Sequence, residues 1–113
     1  MSKETKVLEA VVGKSQNLSG LIDYSKDSIV SKAIIDKTAG TITLFAFDKG
    51  QGLSEHQAPY DAFVAVIEGK GLITIGGKDN IVSAGEIIVM PANVPHSVKA
   101  EEKFKMLLVM IRS

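Results

Sequence analysis

The stretch Gly85-Glu86-Ile87-Ile88-Val89-Met90-Pro91-Ala92-Asn93-Val94-Pro95-His96-Ser97-Val98-Lys99-Ala100 decides the fold. Its first apolar run, residues 86–90, ends at Pro91, which has no N–H to donate to a β-ladder. A second short run follows at residues 97–100. The bounding glycine and the two prolines therefore predict two short strands joined by a turn, rather than one helix.

Short apolar runs between turn residues continue on both sides of this stretch. The segment Thr41-Ile-Thr-Leu-Phe-Ala-Phe alternates with period two, as a half-buried strand does. Glycine pairs at 69/71 and 76/77 suit hairpin turns, with residues 76–80 forming one such turn, because glycine adopts positive φ without strain. We predict an all-β domain with strands at about residues 28–36, 41–48, 62–68, 72–75, 81–83, 86–90, 97–100 and 104–112.

The lead segment, residues 1–27, carries weaker signals. Residues 7–12 suit either a strand or a short helix. Residues 17–24 allow one short helical turn, with Asn17 or Ser19 as the N-cap. A chain of 113 residues has room for one domain, so we assign residues 1–113 to a single domain with its barrel core at residues 41–111.

Composition excludes several function classes. Thirteen basic and thirteen acidic residues give no net charge, which argues against nucleic acid as a partner. The absence of cysteine excludes disulfides and thiolate metal sites. The longest apolar run, residues 106–111, is too short for a membrane span, and residues 1–6 begin no signal peptide. We therefore expect a cytoplasmic protein without a membrane partner.

The last predicted strand is apolar on both faces over Met106-Leu-Leu-Val-Met-Ile111. Such a strand lies between two sheets, or between a sheet and another subunit. In a chain of this length the second face favours a homodimer. The charged segment at residues 99–105 is typical of a solvated turn between strands.

Two segments resemble the cupin family. Its first motif, G-x5-H-x-H-x3,4-E-x6-G, matches the frame of Gly50, His56, Ala58, Ala62 and Gly69. Its second motif, G-x5-P-x-G-x2-H-x3-N, matches the stretch from Gly85 to Ala100 without an insertion. The resemblance implies a double-stranded β-helix, a small jelly-roll barrel of two antiparallel sheets, with the two motifs on facing strands. The wider sequence is similar to small single-domain bacterial cupins.

The departures from the motifs bear on function. The family's usual metal shell holds three histidines and one glutamate, of which this chain keeps His56 and His96. Ala58 and Ala62 stand at the other two ligand positions, and a methyl group donates no electron pair. Asn93 replaces a glycine, which asparagine does at low cost because it tolerates left-handed backbone. Strand alternation is expected to point Asp61, a neighbouring carboxylate, away from the site.

Three functions remain open. The retained pair makes His56 and His96 the metal ligands of a reduced site, in which water or a bound molecule completes the shell of a weakly held divalent ion. That site implies a metal-dependent oxygenase, isomerase or lyase. A metal-free acid/base isomerase would use His56, His96 and Tyr60, since imidazole titrates near pH ~6.5. The function we favour is a barrel without catalysis, and with no cofactor, that binds or senses a small molecule near His56 and His96.

Overall fold

The computed structural model describes residues 6–112, which form two antiparallel sheets and two short helical segments. The helical segments are α1 (Lys6–Val11) and a 3-10 helix (Leu18–Leu21), and neither is long and apolar enough to cross a membrane. The strands are β1 (Ile29–Lys37), β2 (Gly40–Phe47), β3 (Gly52–His56), β4 (Asp61–Glu68), β5 (Lys70–Ile75), β6 (Lys78–Ser83), β7 (Ile87–Met90), β8 (His96–Lys99) and β9 (Phe104–Ile111).

The two sheets have different sizes and pack face to face as a jelly-roll barrel. The first sheet has the strand order β1-β2-β9-β4-β7, and the second has the order β3-β8-β5-β6. Every pairing is antiparallel, and several strand neighbours are distant in sequence, such as β2 beside β9 and β3 beside β8. The predicted all-β class and barrel architecture are confirmed.

The barrel interior is filled by alternate residues of both sheets. Phe47 and Phe104 are fully buried, and their rings stack with centroids 4.8 Å apart. The ring of Phe104 lies against Gly71 of the opposite sheet, where an added Cβ would stand 2.5 Å from Cζ of the ring. A glycine is therefore required at position 71 for the sheets to approach this closely.

Two strand predictions need correction. β3 is absent from the predicted strands, because it is an exposed edge strand with one large apolar residue, Leu53, and so lacks the alternating pattern. The predicted strand at residues 81–83 begins three residues later than β6 does. Gly76 and Gly77 alone make the turn, with φ of 57° and 81°, so that strand pairing resumes at once with Lys78 opposite Ile75.

The described part of the lead segment is helical at both predicted places and covers part of the outer face of the first sheet. Residues 6–11 form a helix rather than a strand, and the side chain of Asn17 accepts a hydrogen bond from the Ser19 N–H at 3.1 Å, as expected of an N-cap. Ile22 is fully buried with Leu44 and Ala46 on the outer face of β2. We call these three residues the outer cluster, together with the partly buried side chains packed against them: Val7, Leu21, Tyr24, Val30, Ile34, Ile67 and Leu107.

A buried lysine fastens the lead segment to the sheet. Lys105 is only 6% exposed, which corrects the expectation of a solvated charged turn up to that residue. Its ammonium donates to the Ser19 carbonyl at 2.6 Å and lies 3.9 Å from a Glu68 carboxylate oxygen. The Tyr24 hydroxyl donates to the same oxygen at 2.5 Å. Burial and the Glu68 carboxylate raise the pKa of the Tyr24 phenol, so this donor stays protonated.

The close approach at Gly71 predicts a measurable cost of adding one methyl group. Gly71→Ala should lower the free energy of unfolding by about 1–3 kcal/mol, because the rigid Phe104 ring cannot yield without disturbing the core. Gly20→Ala is the matched control, since its Cβ would meet nothing nearer than 3.8 Å. Urea unfolding followed by circular dichroism checks both. Equal stability of the two variants would contradict this packing argument.

Candidate functional site

The two histidines of the chain lie opposite each other on neighbouring strands of the second sheet. His56 is the last residue of β3, and His96 is the first residue of β8. The pairing of these strands shifts register between Leu53 and His56, after which His56 is the direct partner of His96. Directly opposed residues of an antiparallel pair point to the same side of the sheet, so the two rings meet.

The rings are in direct contact through their distal nitrogens. Nε2 of His56 lies 3.2 Å from Nε2 of His96, and the ring centroids are 4.4 Å apart at an interplanar angle of 73°. His96 is buried, whereas His56 is exposed at the rim of the barrel. The expected convergence of these two imidazoles, forty positions apart in sequence, is therefore present.

Each ring is held by a backbone carbonyl two residues earlier. Nδ1 of His56 lies 2.7 Å from the Ser54 carbonyl oxygen, and Nδ1 of His96 lies 3.2 Å from that of Val94. A carbonyl oxygen only accepts, so both Nδ1 atoms donate and carry the proton. In the neutral rings both Nε2 atoms are then unprotonated. The sequence carries no signal for these contacts, because they depend on how the backbone turns before each strand.

The loop before His96 is anchored by the segment that follows His56. Asn93 has a φ of 64°, as predicted for an asparagine at a glycine position, and its N–H donates to the Ala58 carbonyl at 2.7 Å. The Ala92 N–H donates to Oδ1 of Asp61 at 2.9 Å. Asp61 is thus an exposed support of the loop, with its carboxylate engaged there.

The remaining metal-ligand positions of the motif are filled by small apolar side chains. Ala62 is 3% exposed on β4, and its strand partners are Met90 on β7 and Met110 on β9. Ala58 lies in the segment between β3 and β4. Within residues 6–112, no three His, Cys, Asp or Glu side chains are grouped so as to hold a metal ion. The residues present supply two imidazole donors, half of a four-ligand protein shell.

Tyr60, the third side chain considered for acid/base chemistry, lies just before β4. The Arg112 guanidinium lies 6.0 Å from the centroid of its ring. Arg112 in turn donates to the carbonyl of Lys37, the last residue of β1, at 3.3 Å. The contacts of Tyr60 therefore tie it to the chain end after β9, while the histidine pair forms without it.

Burial sets the proton affinity of the inner histidine. Burial lowers the pKa of His96, and the nearby charge of His56 lowers it further, while the hydrogen bond to Val94 acts in the opposite direction. A neutral His96 beside a solvent-accessible His56 is the expected state near neutral pH.

The lowered pKa predicts that the protein loses stability as the pH falls below about 6.5, the unperturbed value for histidine. The unfolded chain takes up the His96 proton at a higher pH than the folded chain does, so acid favours unfolding in this window. Thermal melts at pH 5–7 with chelator present should show a shallower pH dependence for His96→Gln than for the wild type. Identical slopes would contradict the assignment to His96.

Comparison with known proteins agrees with this geometry. The profile of the family described as "Cupin domain" matches residues 43–112. A conserved protein of unknown function from Streptococcus pyogenes is 33% identical, with a TM-score of 0.90 over 98% of this chain and 96% of that one. A cupin superfamily protein from Desulfitobacterium hafniense is 22% identical, with a TM-score of 0.89 over 98% of this chain and 100% of its own, a likeness in fold.

A third solved structure differs in length. The Cupin 2 conserved barrel domain protein from Leptotrichia buccalis is 44% identical, with a TM-score of 0.83. The match covers 86% of this chain but 47% of that one, so this chain spans about half the length of that relative. No curated protein matches the sequence. The profile match over most of the barrel, the full-length likeness to the streptococcal protein and the observed jelly roll together place this chain in the cupin family.

Proposed function

We propose that this cupin binds a small organic molecule at the mouth of its barrel, with the His56–His96 pair as the polar anchor. The observation that carries the proposal is the contact of the two Nε2 atoms at 3.2 Å while both Nδ1 atoms face carbonyl oxygens. A binding pocket of this kind is mostly apolar and carries a few placed polar groups.

The arrangement of the imidazoles leaves two hydrogen-bond acceptors facing each other without a donor, and a ligand would supply that donor. With both Nδ1 atoms donating, the neutral rings direct two Nε2 lone pairs toward each other. Two acceptors in contact need a donor or a cation to share. A ligand hydroxyl or N–H directed between the rings supplies that donor. His56, which is exposed, gives such a group access from solvent.

The inner side of the first sheet offers an apolar surface for the rest of the ligand. Directly paired residues share one face of a sheet, so Met90 and Met110 flank Ala62 on the inner side of the first sheet. Met90 is 4% exposed within the core, while Met110 is partly exposed toward the end of β9. Methionine side chains adapt to varied ligand shapes, and alanine leaves room that histidine and glutamate would fill.

A divalent metal ion held by the same two rings is a second candidate. Two donors bound at 2.0–2.1 Å to a tetrahedral ion stand about 3.3 Å apart, close to the observed 3.2 Å between Nε2 atoms. Metal-bound histidines commonly donate their other N–H to a carbonyl, as both rings do here. Such an ion would act as a Lewis acid for oxygenase, isomerase or lyase chemistry. Water or a bound molecule would have to complete its shell.

Ligand binding predicts a melting temperature that rises with ligand concentration. A thermal-shift screen of sugars, carboxylates and amino-acid derivatives should identify a stabilising compound, and calorimetry should then show at least a tenfold weaker affinity for His56→Ala. Glu55→Ala is the control, because Glu55 is the exposed neighbour of His56 on β3. A flat screen, or equal loss in both variants, would count against the proposal.

Restoring metal-ligand side chains at positions 58 and 62 distinguishes the small-molecule site from the metal site. The double variant Ala58→His, Ala62→Glu should be less stable than the wild type without metal, because position 62 is buried and a carboxylate there needs a partner. Added Mn²⁺, Ni²⁺ or Zn²⁺ should raise its melting temperature far more than that of the wild type, and elemental analysis should find metal in the variant. Near one ion per chain in wild-type protein purified without chelator would instead favour the metal-dependent candidate.

A further inference from the structure

The pairing of the second sheet places a lysine in line with the two histidines. His56 of β3 is the partner of His96 of β8, and His96 is in turn the partner of Ile75 of β5. Ile75 is the partner of Lys78 of β6. Directly paired residues of antiparallel strands point to the same side of a sheet, so these four side chains share one face. Ile75 packs against the interior core, which identifies this face as the inner one. We call these four residues the inner row.

Backbone hydrogen bonds fix the position of Lys78 relative to His96. The turn that joins β5 to β6 is made by Gly76 and Gly77, and the Gly76 N–H donates to the Pro95 carbonyl at 2.8 Å, directly before His96. The Asn80 side chain donates to the Lys78 carbonyl at 3.1 Å and to a carbonyl of β5 at 3.2 Å. The start of β6 is therefore held both to the loop that carries His96 and to its neighbouring strand.

The Lys78 ammonium is left available for an anion from solvent. Lys78 is exposed, and among residues 6–112 no carboxylate forms an ion pair with it. The neighbouring Asp79 lies on the opposite face of β6, where its carboxylate accepts from the Thr74 hydroxyl at 2.8 Å. Asp36 lies on the inner face at the same end of the barrel, but it belongs to β1, an edge strand of the other sheet.

The chemistry of the inner row changes from one end to the other. The neutral imidazoles present two Nε2 acceptors, Ile75 presents an apolar side chain, and the lysine presents a cation with three donors. Neighbouring strands lie about 4.8 Å apart, so the Cα atoms of Lys78 and His96 are about 10 Å apart, and the flexible lysine stem brings the ammonium closer. A molecule a few carbon atoms long can reach from the rings to the ammonium.

We propose that Lys78 is the second polar anchor of the ligand site, and that the ligand is a small carboxylic acid with a hydroxyl or amino group at the other end of an apolar spacer. The inference rests on the proposed function, because the histidine pair supplies the first anchor. The hydroxyl or amino group donates between the two Nε2 atoms, the spacer lies along Ile75, and the carboxylate binds Lys78. A single ammonium matches the single charge of a carboxylate.

Three compounds of equal chain length separate the two anchors. Of these, 6-hydroxyhexanoate carries both polar groups, 1,6-hexanediol lacks the charge, and hexanoate lacks the hydroxyl. In NMR titrations at low salt, Lys78→Gln should weaken the binding of both acids about two- to fivefold, as expected for an exposed ion pair, and leave the diol unaffected. His56→Ala should instead weaken the hydroxy acid and the diol, and leave hexanoate unaffected.

Two further variants and the salt dependence control this experiment. Lys70→Gln should bind all three compounds as the wild type does, because Lys70 is exposed at the far end of the same hairpin and alternates with the buried Gly71, on the outer face. Lys78→Arg should keep the affinity for both acids. Sodium chloride at about 0.5 M should remove the difference between the wild type and Lys78→Gln, because salt screens an exposed ion pair.

The outcomes distinguish this inference from the proposed function. Equal binding of 6-hydroxyhexanoate by the wild type and Lys78→Gln, or an equal loss in Lys70→Gln, would overturn the assignment to Lys78 and leave the histidine anchor standing. Binding of the hydroxy acid and the diol that is unchanged in His56→Ala would overturn the histidine anchor, and the proposed function with it. A wild type that binds the diol but neither acid would overturn the proposed class of ligand.

Discussion

The position of the histidine pair is supported by hydrogen bonds that hold the loop before β8, the first of which runs from the Asn93 N–H to the Ala58 carbonyl at 2.7 Å. The bond joins the segment after β3 to the loop before β8, and the left-handed backbone at Asn93 directs the N–H toward it. The Asp61 carboxylate holds the same loop at Ala92, one residue earlier. These contacts help fix where β8 begins, and so bring His96 opposite His56. Ala58 takes part through its backbone, so the loss of a metal-binding side chain there leaves the scaffold intact.

The glycine and proline spacing predicted most of the fold because those residues act locally. Turns such as Gly76–Gly77 need positive φ whatever the rest of the chain does, and the apolar runs between turns could only be short strands. β3 was missed because it gains its pairing from β8 and contributes little burial of its own. The burial of Lys105 was missed for a related reason: its partner, the Ser19 carbonyl, lies 86 residues away in a segment with no periodic pattern.

In the candidate site, the sequence spacing predicts which residues come together, whereas the backbone conformation determines how their side chains are oriented. The two histidines fall on motif positions, so their convergence followed from the resemblance. Their ring orientation did not, because it depends on carbonyls at Ser54 and Val94. The two alanines were visible in the sequence, but the methionines on either side of Ala62 became meaningful only once the order β9-β4-β7 was known. The apolar surface formed by Met90, Ala62 and Met110 is therefore a consequence of the strand order.

The apolar segment Met106–Ile111 illustrates how one strand serves several environments. Its inward residues differ in burial: Met106 is fully buried in the core, whereas Met110, beside Ala62, is partly exposed. Its outward residues have different neighbours: Leu107 packs in the outer cluster, Val109 lies beside Phe63, and Ile111 lies beside the exposed Asp61. The sequence alone does not distinguish these three outward positions, since all of them carry large aliphatic side chains. Only the tertiary structure separates them, because Leu107 and Val109 are partly buried and Ile111 is exposed near the end of the strand.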